Sequence, residues 1–223
     1  MRAKPDFQKY YPLFLNVSGK KCVVVGGGRV AERKVKRLLK CGAAIEVVSR
    51  EATPLLDEHC REGKIARTKE AYESRMLSGA FLVIAATDDA SVNSRVAKDA
   101  HRRGILVNVV DDPKNCDFIV PSLVERGDLT IAVSTGGKSP ALAKKIRKDM
   151  EGLYGKEYAL LLDILGGLRE RMIAKGQNPD ENRKAFEAVV YSEILDHIRA
   201  GRLKEIGALI RRLTGVEMEV KKI

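Results

Sequence analysis

Tryptophan is absent from this 223-residue sequence, and all aromatics together make up only 5% of it. Binding nucleic acid by stacking bases on aromatic rings is therefore disfavoured. No run approaches the ~20 apolar residues that span a bilayer. The longest apolar stretches, residues 80–87 and 129–133, are strand-sized. The first eleven residues carry charges and a proline but no apolar segment of the signal-peptide kind. A cytoplasmic protein with no membrane partner is expected. The four cysteines (Cys22, Cys41, Cys60 and Cys116) are widely spaced and form no CxxC, which argues against a zinc site or a disulfide framework. They read as reduced packing residues. The three histidines (His59, His101 and His197) are scattered as well, so no protein-held metal is expected.

Positive charge is in excess: 41 Lys and Arg face 30 Asp and Glu, a net +11. A basic surface attracts polyanions, a class that includes nucleic acid, anionic membrane, phosphates and polycarboxylates. The excess is spread along the chain, with no basic arm or tail. Nucleic acid is not expected as a partner, because no basic cluster or recognised motif accompanies the charge. Hydrophobic residues make up 44%, enough for a sizeable core.

The first half alternates strand and helix. Residues 22–25 form a short apolar run, and the pattern over 30–39 is helical. Further strands are read at 45–48, 64–68, 81–86 and 106–110, with helices at 55–61 and 89–103. Continuous apolar strands between amphipathic helices indicate a parallel sheet covered on both faces. The pattern changes after Pro113. Residues 118–124 and 129–134 read as two strands of a hairpin. Helices follow at 141–153, 158–174, 181–199 and 204–214, with a break at 176–179. The expected fold is α/β: a Rossmann-type parallel sheet, a small two-strand plus helix segment, and an α-helical C-terminal domain. The expected domains are 1–113, 114–150 and 151–223.

The first strand runs into Gly26-Gly27-Gly28-Arg29-Val30-Ala31, which fits G-x-G-x-x-A between a strand and a helix. Gly26 permits the tight turn, and Gly28 lets the backbone approach a pyrophosphate. Ala31 allows close helix–strand packing, while the helix N-terminus offers free N–H groups to the phosphates. Rossmann sites usually place an acid at the tip of the second strand to hold ribose hydroxyls. Here the tip reads Val47-Val48-Ser49-Arg50-Glu51. Ser49 and Glu51 are candidates for the ribose, and Arg50 could pair with a 2′-phosphate, so NAD versus NADP stays open. Thr87 and Asp88 end the fourth strand and are placed to line the ligand crevice. Asp89 reads as a helix cap. One acid of Asn108-Val109-Val110-Asp111-Asp112-Pro113 faces the same crevice.

With these blocks in order, the chain resembles the precorrin-2 dehydrogenase family of sirohaem biosynthesis, which also forms the N-terminal module of sirohaem synthase. The resemblance runs over residues 11–150. It begins at Tyr11-Pro12-Leu13-Phe14 and takes in the glycine block through Lys34 and Ala85-Ala86-Thr87-Asp88-Asp89. Residues 108–113, 118–122 and 132–140 complete it. It implies NAD as cofactor, with precorrin-2 as substrate and sirohydrochlorin as product. Some members also insert ferrous iron, and no residue here separates the two kinds. The resemblance puts the catalytic aspartate on Asp111. It places dinucleotide contacts at Gly28, Arg29, Val30, Arg50 and Glu51, with Thr87, Asn108 and Val109 near the nicotinamide. Substrate contacts fall on Thr135, Gly136, Gly137, Lys138 and Ser139; the family's serine before Gly-Gly is Thr135 here. It also implies a homodimer built through about 113–150. Leu142, Ile146 and Met150 read as one buried helix stripe, and Lys138, Lys144, Lys145, Arg147 and Lys148 as a patch that could attract the carboxylates of a tetrapyrrole. The alternative is a non-catalytic NAD-sensing module, which shares the glycine turn but leaves the blocks after residue 108 unexplained.

Overall fold

A computed structural model describes residues 10–176 and 178–220. The reading of the N-terminal segment therefore lies, for residues 1–9, outside the described residues, as does Gln177 in the 176–179 break. The chain divides into two compact units, Met1–Val120 and Pro121–Ile223.

The first unit alternates β1 (Lys21–Val25), α1 (Arg29–Lys40), β2 (Ala44–Val48), α2 (Pro54–Arg61), β3 (Ala66–Thr68), β4 (Leu82–Ala85), α3 (Ala90–Arg102) and β5 (Leu106–Val109). All four strand pairings are parallel, and the order is β3-β2-β1-β4-β5. The order reverses at β1, so the crevice beyond the C-terminal ends of β1 and β4 is the topological switch point, where such sheets bind ligands. Alternate side chains explain why the strands are apolar throughout. Val23, Val25, Val83, Val107 and Val109 pack on one face with Val96, Ala97 and Ala100 of α3. Cys22, Val24, Ile45, Val47 and Ile84 pack on the other with Ala31 and Val35 of α1 and Leu56 of α2. Helices on both faces leave no solvent side, so the buried strand positions are apolar except Asn108 of the β5 edge strand. Burial pushes the Cys22 thiol up to about 11, as expected of a packing residue.

The second unit opens with an antiparallel hairpin, β6 (Ser122–Arg126) and β7 (Leu129–Val133). It continues with α4 (Pro140–Leu153), α5 (Glu157–Ala174), α6 (Pro179–Val190), α7 (Ile194–Arg199) and α8 (Leu203–Thr214). α4 and α5 pack on the hairpin. Leu161, Ile164, Leu168 and Met172 of α5 recur at helical spacing and meet Val189, Ile194, Ile206 and Ile210 in one core.

Three sequence readings shift. The strand read from residue 118 begins at Ser122, because the backbone before it is engaged elsewhere. Asp117 N donates to Val107 O at 2.8 Å, Phe118 O accepts from Asn108 Nδ2 at 3.0 Å, and Pro121 has no N–H to give a ladder. The helix read over 181–199 breaks at Ser192. Its Oγ donates to Val189 O at 2.7 Å and accepts from Ile194 N at 3.3 Å, competing with helical bonding. On α4 the buried residue is Ala143, whereas Leu142 is 48% exposed and Ile146 and Met150 are half-buried, so the expected stripe is covered only in part. Among the described residues, no helix is long and apolar enough to cross a membrane.

Leu168 is fully buried at the centre of the helical core. Leu168→Ala is expected to lower stability by about 2–5 kcal/mol, through lost transfer energy plus a cavity. Urea unfolding followed by circular dichroism measures it.

Candidate functional site

A cavity of about 980 Å³ opens at the switch point of the sheet. That volume suits a dinucleotide-sized ligand. Its walls come from the turn after β1, the tips of β2 and β4, and the segment after β5.

The turn after β1 is made by the absence of side chains. Gly26 has φ +124°, and a Cβ there would sit 2.3 Å from Ala86 O. A Cβ on Gly27 would sit 1.9 Å from Glu51 O, whereas one on Gly28 would meet nothing within 4 Å. The first two glycines thus let the turn press against its neighbours, and the third faces open space. Gly28 caps α1 without any side-chain hydrogen bond to the first-turn amides. Those N–H groups and the positive end of the helix are left facing the cavity, as an anion requires. These features fit a pyrophosphate. Arg29 and Val30 line the same wall.

At the β2 tip, Ser49 and Glu51 line the cavity and Arg50 does not. Ser49 Oγ donates to Glu51 O at 2.5 Å, which closes the tip into a tight turn. Thr53 N donates to Gly27 O at 3.0 Å and ties that turn to the glycine loop. The first residue beyond β2 is Ser49, not a carboxylate. The acid within β2, Glu46, is spent on Lys21 (2.9 Å) and on the Thr68 hydroxyl (3.0 Å).

At the β4 tip, Thr87 lines the cavity, and its hydroxyl lies 2.8 Å from Asn93 Oδ1 and 3.0 Å from Asp89 O. Asn93 also accepts from Thr87 N at 3.2 Å and donates to Thr87 O at 2.9 Å. Asp89 caps α3 by accepting from Ser91 N (2.8 Å) and Val92 N (3.2 Å). The Ser91 hydroxyl, followed by these backbone bonds, holds the Asp89 carboxyl below its usual range. Asn93 went unread in the sequence. A lone asparagine in the first turn of a helix carries no local signal for its grip on a strand tip six residues earlier.

After β5, Val109, Val110, Asp111 and Asp112 line the cavity, and Asn108 does not. Asn108 is buried, and its amide turns to Phe118 O. Among the described residues, Asp111 is the one non-glycine with positive φ, at 61°. This left-handed conformation costs on the order of 1–3 kcal/mol and persists only where the surroundings over-determine it. Here they do: Val110 N donates to Ala85 O at 2.9 Å, and Cys116 Sγ accepts from Val109 N at 3.1 Å and donates toward Val109 O (3.2 Å) and Asp112 O (3.3 Å). Burial pushes the Cys116 thiol up, so it stays a protonated donor. The Asp112 carboxylate is occupied by Asn115 Nδ2 at 2.6 Å, while Asp111 stays exposed at the cavity. Lys34 of α1 feels both groups. Burial, then Arg37 and Arg33, hold its ammonium below the usual range, against the opposing pull of Cys116 and Asp111.

Thr135–Ser139 belong to the second unit. There Ser139 caps α4 by accepting from Leu142 N at 3.2 Å, and Thr135 Oγ1 accepts from Ser139 N at 3.2 Å. In the basic patch, Lys145 pairs with Asp149 at 2.7 Å and Arg147 pairs with Glu151, which removes two of its charges.

Gly28→Ala isolates the ligand role of the turn, because the added methyl meets no protein atom. The melting temperature is expected to stay near that of the wild type. Affinity for NADH, titrated by fluorescence, is expected to fall on the order of ten- to a hundredfold as the pyrophosphate loses its close approach.

Two family models match in tandem: one described as "Putative NAD(P)-binding" over residues 13–122, and "Sirohaem biosynthesis protein central" over 126–153. The chain is 39% identical to a siroheme synthase of Nitrosospira multiformis over 207 residues, covering 91% of this chain and 44% of that protein. It is 41% identical to the siroheme synthase of Methylobacillus flagellatus over 191 residues, covering 86% and 41%. The chain thus spans less than half the length of these curated relatives. In fold it is similar to SirC, precorrin-2 dehydrogenase, with a TM-score of 0.78 over 93% of this chain and 100% of that one at 24% identity. With an NAD(P)-binding model followed directly by a sirohaem biosynthesis model, on a Rossmann-type sheet ahead of a hairpin and helices, the chain is similar over most of its length to one part of the siroheme synthases.

Proposed function

We propose that this chain oxidises precorrin-2 to sirohydrochlorin with NAD. The observation that carries the reading is the Asp111 carboxylate, held in a left-handed turn at a cavity that a helix N-terminus without a side-chain cap also lines. The similarity to siroheme synthases supports the choice of substrate.

The reaction removes one hydride and one proton from the macrocycle. When bound, NAD supplies the hydride acceptor and is released as NADH. Gly28, Arg29 and Val30 hold the pyrophosphate with backbone N–H groups, while Gly26, whose N–H is donated to Val48 O, shapes the turn that brings them there. Ser49 and Glu51 face the adenine-side ribose, with Arg50 at its outer edge. Thr87 and Val109 bound the nicotinamide end, and Asn108 acts from behind by fixing the β5 tip to Phe118 O. Asp111 accepts the proton leaving the ring carbon, the work of a general base. Thr135, Gly136, Gly137, Lys138 and Ser139 contact the substrate, whose carboxylates Lys144 and Lys148 also attract. The exposed Leu142 supports a homodimer in which a second copy covers α4. The protein works in the cytoplasm.

Purified protein with precorrin-2 and NAD is expected to develop the absorbance of sirohydrochlorin. Unchanged precorrin-2 in the presence of protein that binds NADH overturns the reading in favour of a non-catalytic NAD-sensing module. Offering sirohydrochlorin and ferrous iron anaerobically decides whether the chain also inserts the metal. Asp111→Asn is expected to reduce kcat by about 10²–10⁴-fold while leaving NADH affinity unchanged. A wild-type rate in that variant removes the general-base role.

A further inference from the structure

β3 is an edge strand of three residues, and its central side chain is an arginine that is almost wholly buried. The Arg67 side chain is 4% exposed. Its guanidinium serves the β2 tip. Nε donates to Ser49 O at 3.2 Å, Nη2 donates to Arg50 O at 2.7 Å, and Nη1 binds the Asp57 carboxylate of α2. The planar fork thus meets two successive carbonyls and a carboxylate at once, a geometry that lysine cannot reproduce. Both carbonyls belong to the residues that stand where Rossmann sites usually carry the ribose-holding acid.

The tip in turn is joined to the phosphate turn. Ser49 Oγ donates to Glu51 O, the same carbonyl that lies against the Cα of Gly27, and Thr53 N donates to Gly27 O. Burying a guanidinium is costly unless every donor direction is used. Here it is used to fix a loop that would otherwise present free carbonyls. We propose that Arg67 is a positioning residue for the dinucleotide. It touches no ligand, but it sets the Ser49–Glu51 tip against the glycine turn, so that the adenine-side ribose and the pyrophosphate are held by one rigid wall. The inference rests on the dinucleotide reading of the cavity, and it assigns to a β3 arginine the positioning of the tip that faces the ribose.

The test is NADH titration by fluorescence on wild type, Arg67→Met, Arg67→Lys and Asp57→Asn, each with its melting temperature. R67M keeps the stem and removes the donors. It is expected to weaken NADH binding by about tenfold or more. R67K is expected to fall between R67M and wild type. D57N leaves both carbonyl contacts in place, so it is expected to weaken binding less than R67M does. In turnover, the loss is expected in the KM for NAD, with kcat at saturating NAD retained, a split that general destabilisation does not produce. Should R67M fail to fold, the order of R67K and D57N decides. Wild-type affinity in R67M or R67K overturns the proposal, as does a D57N defect as large as that of the arginine variants. Failure of the wild type to bind NADH instead overturns the dinucleotide reading on which the proposal rests.

Discussion

The ligand end of the first unit depends on one close approach: the turn after β1 lies directly against the tips of both flanking strands. Gly26 faces Ala86 O, beyond β4, and Gly27 faces Glu51 O, beyond β2, at separations that leave no room for a Cβ. Gly26 N donates to Val48 O and Ala86 N to Val25 O, each at 2.8–2.9 Å, so the sheet ladder continues into the turn. Because β1 is the central strand, this contact draws two loops toward one point and leaves the third glycine facing the space between them. The crevice is therefore a consequence of side-chain absence at two positions. The open helix N-terminus beyond them supplies the charge complementarity.

Much of the fold was legible because its signals are local. Val23 and Val25 pack on one face of the sheet while Cys22 and Val24 pack on the other, so burial on both sides shows directly as an unbroken apolar run. The glycine turn was legible for the same reason: strand, glycines and helix follow one another within a dozen residues. Reading failed where a side chain takes backbone partners out of regular structure. Asn108 and Asp117 hold the segment before β6, and Ser192 ends α6. Neither event changes hydrophobic periodicity, the signal from which these two elements are read.

The candidate site divides along the same line. Gly26, Gly28, Arg29, Val30, Ser49, Glu51, Thr87, Val109 and Asp111 all line one cavity, as their places at strand tips suggested. Asn93 and Arg67 were invisible, because each acts on a loop from another element, and a contact across 18 residues leaves no trace in a short motif. Asn108 was legible as a strand-tip residue but not in its orientation. Its polar amide is satisfied by Phe118 O within the protein, which is the lower-energy choice for a buried donor.

The two adjacent acids after β5 show how fold and chemistry separate. Asp112 is used by the fold: its carboxylate takes Asn115 and its carbonyl takes the Cys116 thiol. Asp111 bears the unusual backbone, and the bonds from Val110 and Cys116 around it fix that turn without involving its carboxylate. A left-handed position is met at no steric cost by glycine, and asparagine tolerates it as well as aspartate does. The conformation therefore explains why residue 111 is not a bulky or branched side chain, and it does not explain why it is an acid. An exposed carboxylate beside the cavity satisfies no hydrogen bond that the turn needs. Its charge is left at the cavity, where the general base proposed above has to stand.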